Sequence, residues 1–167
     1  MIIPRAAVAA TIQWTSPRTE INHYLLVQRK NPPDEGKWSI AGGKIILGEP
    51  TLAAAMREIR EETQLCDCLW HPNSFLTTDA IVADDEKGGK KDDTSFLFHY
   101  VIAHCFAKAP ACPSGNAPTV VPSDDALDAK WYTLAEINEL DCSEQTSEVL
   151  QRAEELSDLG LLPVSQV

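Results

Sequence analysis

Positive charge is what this chain most lacks: 14 Lys and Arg stand against 25 Asp and Glu, a formal net charge of −11. A general nucleic-acid binder needs a basic footprint to displace phosphate counterions, so no nucleic-acid partner is expected. Long apolar runs are missing too. The longest, residues 2–12, is interrupted by Pro4 and Arg5 and is too short to span a bilayer. The N-terminus lacks the basic-then-apolar order of a secretory signal, so the expectation is a soluble, cytoplasmic protein with no membrane partner. Paired cysteine spacings are absent as well. Cys66, Cys68, Cys105, Cys112 and Cys142 are odd in number, and Cys66-x-Cys68 is one residue too tight for a zinc-type pair. All five are expected as reduced, mostly buried thiols.

What is present is ordinary globular material. At 167 residues and 44% hydrophobic content, the chain can bury the core of one domain, and no repeat or linker divides it. The acidity has two readings. It keeps a protein soluble, and it also suits an enzyme that recruits a divalent cation to bring its own carboxylates together with a phosphorylated small molecule.

The order of elements is mixed. Residues 5–14 and 24–28 are rich in Ala, Val, Leu and Ile and read as strands, separated by a turn at Ser16-Pro17. Residues 31–36, with Pro32, Pro33 and Gly36, form a loop. Residues 38–40 are a short strand ending in the flexible pair Gly42-Gly43. Between Thr51 and Gln64 the period becomes helical, with Leu52, Ala55, Met56, Ile59 and Thr63 on a core stripe. Residues 75–83 and 95–107 read as two long strands around a charged loop at 84–93, which suits a hairpin tip. A Pro-rich connection, 108–123, is long enough to suggest a functional role. A strand at 130–133 follows, then a helix opened by the capping box Thr133-Leu134-Ala135-Glu136. A last helix is expected with Ser143 as its cap and Gly160 as its stop.

The chemistry concentrates in Gly43, Glu49 and the run Arg57-Glu58-Ile59-Arg60-Glu61-Glu62. On a helix Glu58, Glu61 and Glu62 fall at i, i+3 and i+4, so three like charges share one patch, expected opposite the core stripe. An Mg2+ or Mn2+ ion would relieve that repulsion and finds the oxygen ligands it prefers. Taken alone, the run reads as a solvated helix face with an Arg57–Glu61 ion pair. Gly43 and Glu49 at fixed spacing decide otherwise. Six specified positions, each used at roughly one in fifteen, coincide about once in ten million windows.

The segment 43–65 resembles the Nudix hydrolase signature, G-x5-E-x7-R-E-U-x-E-E-x-G-U, where U is a bulky aliphatic residue. It departs only at Gln64, which stands where the family has glycine. The resemblance implies an α+β fold, a Nudix-type α/β/α sandwich with a mixed sheet and a catalytic loop-helix-loop. It implies Mg2+ or Mn2+ held by Glu58, Glu61 and Glu62 with the Gly42 carbonyl, and Arg57 bound to Glu49 to hold the loop against the helix. The activity implied is hydrolysis of a diphosphate linkage, with water attacking one phosphorus in line. A carboxylate outside the signature often serves as base; Asp125 is the candidate and Asp124 the next, although the pair equally suits a turn cap.

Arg29 and Lys30 suit substrate phosphates, or are exposed strand-end charges. Trp38 suits base stacking, or packing. The run from Arg29 through Pro33 to Trp38 and the glycine pair resembles small ADP-ribose pyrophosphatases, with Ala41 where a proline is usual. This implies a nucleotide partner and cleavage to AMP and ribose 5-phosphate. Oxidised nucleoside triphosphates and dinucleoside polyphosphates are the alternative substrates, and a nucleotide-sensing module without catalysis is the alternative class. The expectations also allow a homodimer.

Overall fold

The computed structural model describes residues 3–83, 96–110, 112 and 114–167. Among these, the strands are β1 (Arg5–Thr15), β2 (Asn22–Arg29), β3 (Trp38–Ser39), β4 (Gly42–Lys44), β5 (Leu69–Trp70), β6 (Leu76–Ala83), β7 (Phe96–Lys108) and β8 (Ala126–Tyr132). The helices are α1 (Thr51–Thr63), α2 (Leu134–Ile137) and α3 (Thr146–Asp158). The charged segment expected as a hairpin tip, 84–93, lies outside the described residues. Its flanking strands β6 and β7 pair antiparallel, from Leu76 opposite His104 to Ala83 opposite Phe96.

Strand β1 is the axis of one mixed sheet. Along one edge it runs parallel to β7, from Arg5 opposite Tyr100 to Gln13 opposite Lys108. Its other edge is divided, with Ala7–Ala9 pairing β4 and Gln13–Thr15 pairing β2. Ala7 through Gln13 are buried without a break, as a strand covered on both faces requires. Val8, Ala10 and Ile12 meet Ala54, Ala55 and Ile59 of α1 together with Leu25 and Val27 of β2. On the other face Tyr24 and Leu26 pack with Ile137 and Leu150, and Phe106 packs with Ala153 and Leu162. The α/β/α sandwich is therefore present, with α1 on one side and α2 and α3 on the other. The one large polar side chain inside β1, Gln13, donates to the Tyr24 hydroxyl at 3.0 Å and accepts from Ser157 at 3.3 Å. An unpaired buried amide would cost about 1–3 kcal/mol.

Several local expectations need correction. Gly42-Gly43 is not a flexible pair but the start of β4. Strand β5 was not anticipated, because two residues carry no period. Strand β8 begins four residues earlier than expected, at Ala126. The capping box at Thr133 is formed, with the Thr133 hydroxyl and Glu136 carboxylate each accepting from the other's backbone N–H. Ser143 is not the cap of α3: Gln145, left-handed at φ 66°, occupies that position without a side-chain bond, and Ser143 offers only its carbonyl to Thr146. Gly160, at φ 70°, does end α3, and N–H donation from Gly160 to Ser157 and from Leu161 to Leu156 closes its last turn. Among the described residues all five cysteines are free, but only Cys68 and Cys105 are buried. None of the described helices is long and apolar enough to cross a membrane.

His104 gives the fold a pH dependence. It lies buried on β7 with Nε2 2.9 Å from the Thr78 hydroxyl, and its Nδ1 has no partner among the described residues. Burial pushes its pKa down to about 4, below the ordinary 6.5. The folded state therefore prefers the neutral ring, and the stability this group leaves intact above pH 6.5 is lost as pH falls toward 4. The loss expected is about 3 kcal/mol by linkage. Urea unfolding at pH 7 and at pH 4 should show a clearly smaller acid loss in His104→Gln than in the natural chain; equal losses would refute it.

Candidate active site

The glycine pair and α1 are built for close approach. Gly42 lies against the backbone of β1, where a Cβ would overlap the Val8 carbonyl oxygen and Ala9 Cα. Gly43 lies against the carboxylate of Glu58, whose atoms fill the volume a Cβ would need. Glycine at both positions lets a strand edge and a helix carboxylate share one small space. The position of Glu58 corrects the expected helix geometry. Glu58 and Glu62 are not on a solvated face opposite the core stripe; they are 8% and 7% exposed, beside Ile59 and Thr63, and only the Glu61 side chain is largely in solvent.

Arg57 ties this cluster together with all five of its N–H groups. Nε and Nη2 donate to the two oxygens of Glu49 at 2.8 and 2.9 Å, and Nη2 donates also to the Lys44 carbonyl at 3.0 Å. Nη1 donates to Glu58 at 2.7 Å and to Glu61 at 3.0 Å. The Arg57–Glu49 contact and the Arg57–Glu61 pair, set out above as competing readings of the helix, coexist. Hydrogen bonds from Arg57, and then from the Ile46 backbone, hold Glu49 below the usual carboxylate range. Glu49 also closes the turn through its own N–H to Ile46 O at 2.9 Å, so the loop before α1 is fixed at both ends.

Glu62 receives no hydrogen bond from Arg57. Burial raises its pKa to about 8, with the neighbouring charges of Glu58 and Asp125 adding to the rise while the Gly42 amide and Arg29 oppose it. Burial raises Glu58 too, against the pull of Arg57. Among the described residues Glu62 Oε2 has no hydrogen-bond partner. Nor do three Asp, Glu, His or Cys side chains among the described residues yet converge as a metal-holding group. Glu58 and Glu61 both turn an oxygen to Arg57.

Asp125 is brought to this cluster by the Pro-rich segment. Val121 and Ser123 donate backbone N–H groups to the carbonyls of Thr63 and Glu62, at 2.9 and 3.0 Å, and the Ser123 hydroxyl bonds to Glu61 O. The segment thus caps carbonyls that the end of α1 leaves free. Asp125 follows, with its carbonyl accepting from Lys30 N at 3.0 Å and its carboxylate from Asn31 Nδ2 at 2.7 Å. Arg29 is close enough for its charge to act on Glu62, and its Nε donates to Pro33 O at 2.9 Å. Lys30 is exposed. Trp38 stands apart in its contacts. It packs edge-on to Tyr132 at 5.1 Å, beside the second core cluster, with Lys130 Nζ 5.6 Å from its ring centre. Sequence reasoning missed Ser123 and Asn31; single small polar residues in loops carry no pattern that would expose them.

The family model described as the NUDIX domain matches residues 4–153. A curated relative, the ADP-ribose pyrophosphatase of Methanocaldococcus jannaschii, is 46% identical over 44 residues, and the match spans 26% of this chain and 26% of that protein. The NUDIX domain of Shewanella oneidensis NrtR, complexed with ADP ribose, is similar in structure with a TM-score of 0.67 at 18% identity, covering 93% of this chain and 89% of that one. A bifunctional NMN adenylyltransferase/ADP ribose pyrophosphatase from Francisella tularensis, complexed with AMP and a Mn ion, gives 0.61 at 21% identity, covering 93% of this chain and 42% of that one. At such identities the structural likeness speaks for the fold.

The end of α1 yields a test. Gln64 adopts φ 57° and ψ 11°, with its N–H on Arg60 O at 3.0 Å. The helix therefore ends in the left-handed conformation that glycine favours, and glutamine bears a steric cost there. Gln64→Gly should stabilise the protein by about 1 kcal/mol in urea unfolding and leave Mn2+ affinity unchanged. Destabilisation would mean that the helix continues through Gln64 in solution.

Proposed function

We propose that this chain, which belongs to the Nudix hydrolase family, hydrolyses a diphosphate linkage in a nucleotide derivative with Mg2+ or Mn2+, and that ADP-ribose, cut to AMP and ribose 5-phosphate, is its substrate. The observation that carries the reading is Glu62: a buried carboxylate oxygen without a partner, next to buried Glu58, in the helix that also bears Glu61. A carboxyl so placed holds a proton near neutral pH unless a cation compensates its charge, and Glu58 and Glu61 beside it suit the cation. The short match to the M. jannaschii ADP-ribose pyrophosphatase and the likeness to a domain complexed with ADP ribose support the substrate. The Mn ion in the F. tularensis protein supports the cofactor.

The residues present fit a hard divalent cation, because carboxylate and carbonyl oxygens are its preferred donors. Glu58, Glu61 and Glu62 with the Gly42 carbonyl would hold it. When bound, the cation neutralises charge on the phosphate oxygens and acidifies water. The remaining work falls to side chains of this chain. Arg57 and Glu49 keep the loop after β4 against α1. Arg29 and Lys30 meet the phosphates in a chain otherwise short of positive charge. Asp125, close enough for its charge to act on Glu62, takes the proton of the attacking water.

Chromatographic detection of the nucleotide products from ADP-ribose, dinucleoside polyphosphates and oxidised nucleoside triphosphates, each with Mg2+ and with Mn2+, tests the substrate. ADP-ribose should be cleaved fastest. Glu61→Gln and Glu62→Gln should each lower kcat by at least about a hundredfold. The metal-free Glu62→Gln protein should melt no lower than the natural chain at pH 7, since a carboxyl raised to about 8 is largely the neutral acid there, which glutamine matches in shape. Near-normal turnover in both variants would place the active site elsewhere. Asp125→Asn should depress kcat far more than it raises KM, as loss of a transition-state interaction does, and Asp124→Asn should be milder. Equal, near-normal behaviour of the two would remove Asp125 as the base.

A further inference from the structure

We infer that Asn31 is a positioning residue: its side-chain amide fixes the carboxylate of Asp125, whose charge acts on Glu62. This rests on the reading of Asp125 as the base.

Three observations carry it. The first is the bond itself, Asn31 Nδ2 to Asp125 Oδ1 at 2.7 Å, short for an amide donor and charge-assisted. An ionised carboxylate only accepts, so the amide nitrogen is the end of Asn31 that faces it.

The second is that the Asn31 loop is anchored. Gln28 Nε2 donates to Gly36 O at 2.8 Å, Arg29 Nε to Pro33 O at 2.9 Å, and Gly36 N to Arg29 O at 2.9 Å. Lys37 pairs with Asp34 at 2.8 Å across the same turn. Standing before Pro32, Asn31 is also confined to extended backbone conformations. Its backbone is thereby held in place before the side chain is oriented.

The third is a bulge that aims Asp125. Between β2 and β8 the register shifts at Gln28/Arg29: Gln28 faces Asp128 while Arg29 faces Ala126, leaving Leu127 as the extra residue. The effect shows in the core, where Ala126 and Ala129 both join the α1-side cluster although they are three residues apart. In a regular strand residues of odd spacing face opposite sides. The extra residue reverses the alternation just before Asp125, and bulges beside active sites re-aim side chains in this way. Beyond the bulge the ladder ends on Lys30 N to Asp125 O, so the Asn31 amide is the side-chain tie that completes the ladder.

A double-mutant cycle tests the inference. Asn31→Ala, Asp125→Asn and the pair are assayed with Mn2+ on the fastest-cleaved of ADP-ribose, diadenosine tetraphosphate and an oxidised nucleoside triphosphate. Asn31→Ala should lower kcat about tenfold or more with KM within about twofold. In the Asp125→Asn background the same change should have almost no further effect, because its action passes through that carboxylate. Asn31→Asp, which replaces the donor with a like charge, should be at least as slow as Asn31→Ala. If Asp125→Asn is slow but Asn31→Ala is normal, or if the two losses multiply, the positioning role is wrong and the reading of Asp125 stands. If Asp125→Asn itself is normal, the base reading falls and takes this inference with it. No turnover of any of the three nucleotides overturns the catalytic reading and the inference together.

Discussion

Everything at the site depends on one cation, Arg57. Three glutamates at i, i+3 and i+4, with Glu49 nearby, repel one another, and two of them are buried where that repulsion is poorly screened. Arg57 answers with five N–H groups directed to Glu49, Glu58, Glu61 and the Lys44 carbonyl. A lysine could not do the same, because the planar guanidinium alone grips a carboxylate with two parallel bonds while still presenting donors elsewhere. The loop after β4 is held to α1 through this grip. The reach of Arg57 also has an end. Its hydrogen bonds stop at Glu61, which leaves Glu62 with only the Gly42 amide and the more distant charge of Arg29 against the cost of burial.

A second constraint comes from carbonyls. Helix α1 ends with Thr63, Glu62 and Glu61 offering free oxygens, and the segment containing Val121 and Ser123 takes all three. Capping a helix end and delivering Asp125 are therefore one structural act. This explains the length of the Pro-rich connection: it has to run from the end of β7 to the far end of α1 before it can enter β8. On the way Trp131 Nε1 donates to Pro118 O at 2.9 Å, and Val120 packs on the main core. The connection is fastened along its course.

Divided pairing of β1 places these parts. Its first half binds β4 and its second half binds β2, so the chain between them, through β3 and Ala41, crosses from one to the other. Ala10 N donates to Ala41 O at 2.8 Å at that crossing. The glycines of β4 then lie flat on β1, with Glu58 over Gly43, which is why a side chain at either glycine has nowhere to go.

By itself the sequence determined the elements with long periods and the residues with fixed spacing. The stripe of α1, the apolar runs of β1 and β2, the capping box at Thr133 and the stop at Gly160 all report local physics, and each formed where it was read. The segment 43–65 likewise named Gly43, Glu49, Arg57 and the three glutamates, because a motif on one helix and its preceding loop needs no long-range information. Tertiary structure decided the rest. Whether Glu58 and Glu62 face water or the core depends on the strand that approaches them, so a helical wheel could not tell that they are buried. Gly42-Gly43 reads as a flexible pair until β1 lies beside it. Ser123 and Asn31 acquire partners 62 and 94 residues away, which no local pattern encodes. Gln64 shows the two levels meeting: the sequence placed a residue ill suited to left-handed backbone at the end of α1, and the packing of Leu65 together with the Val121 contact to Thr63 still requires the chain to turn there.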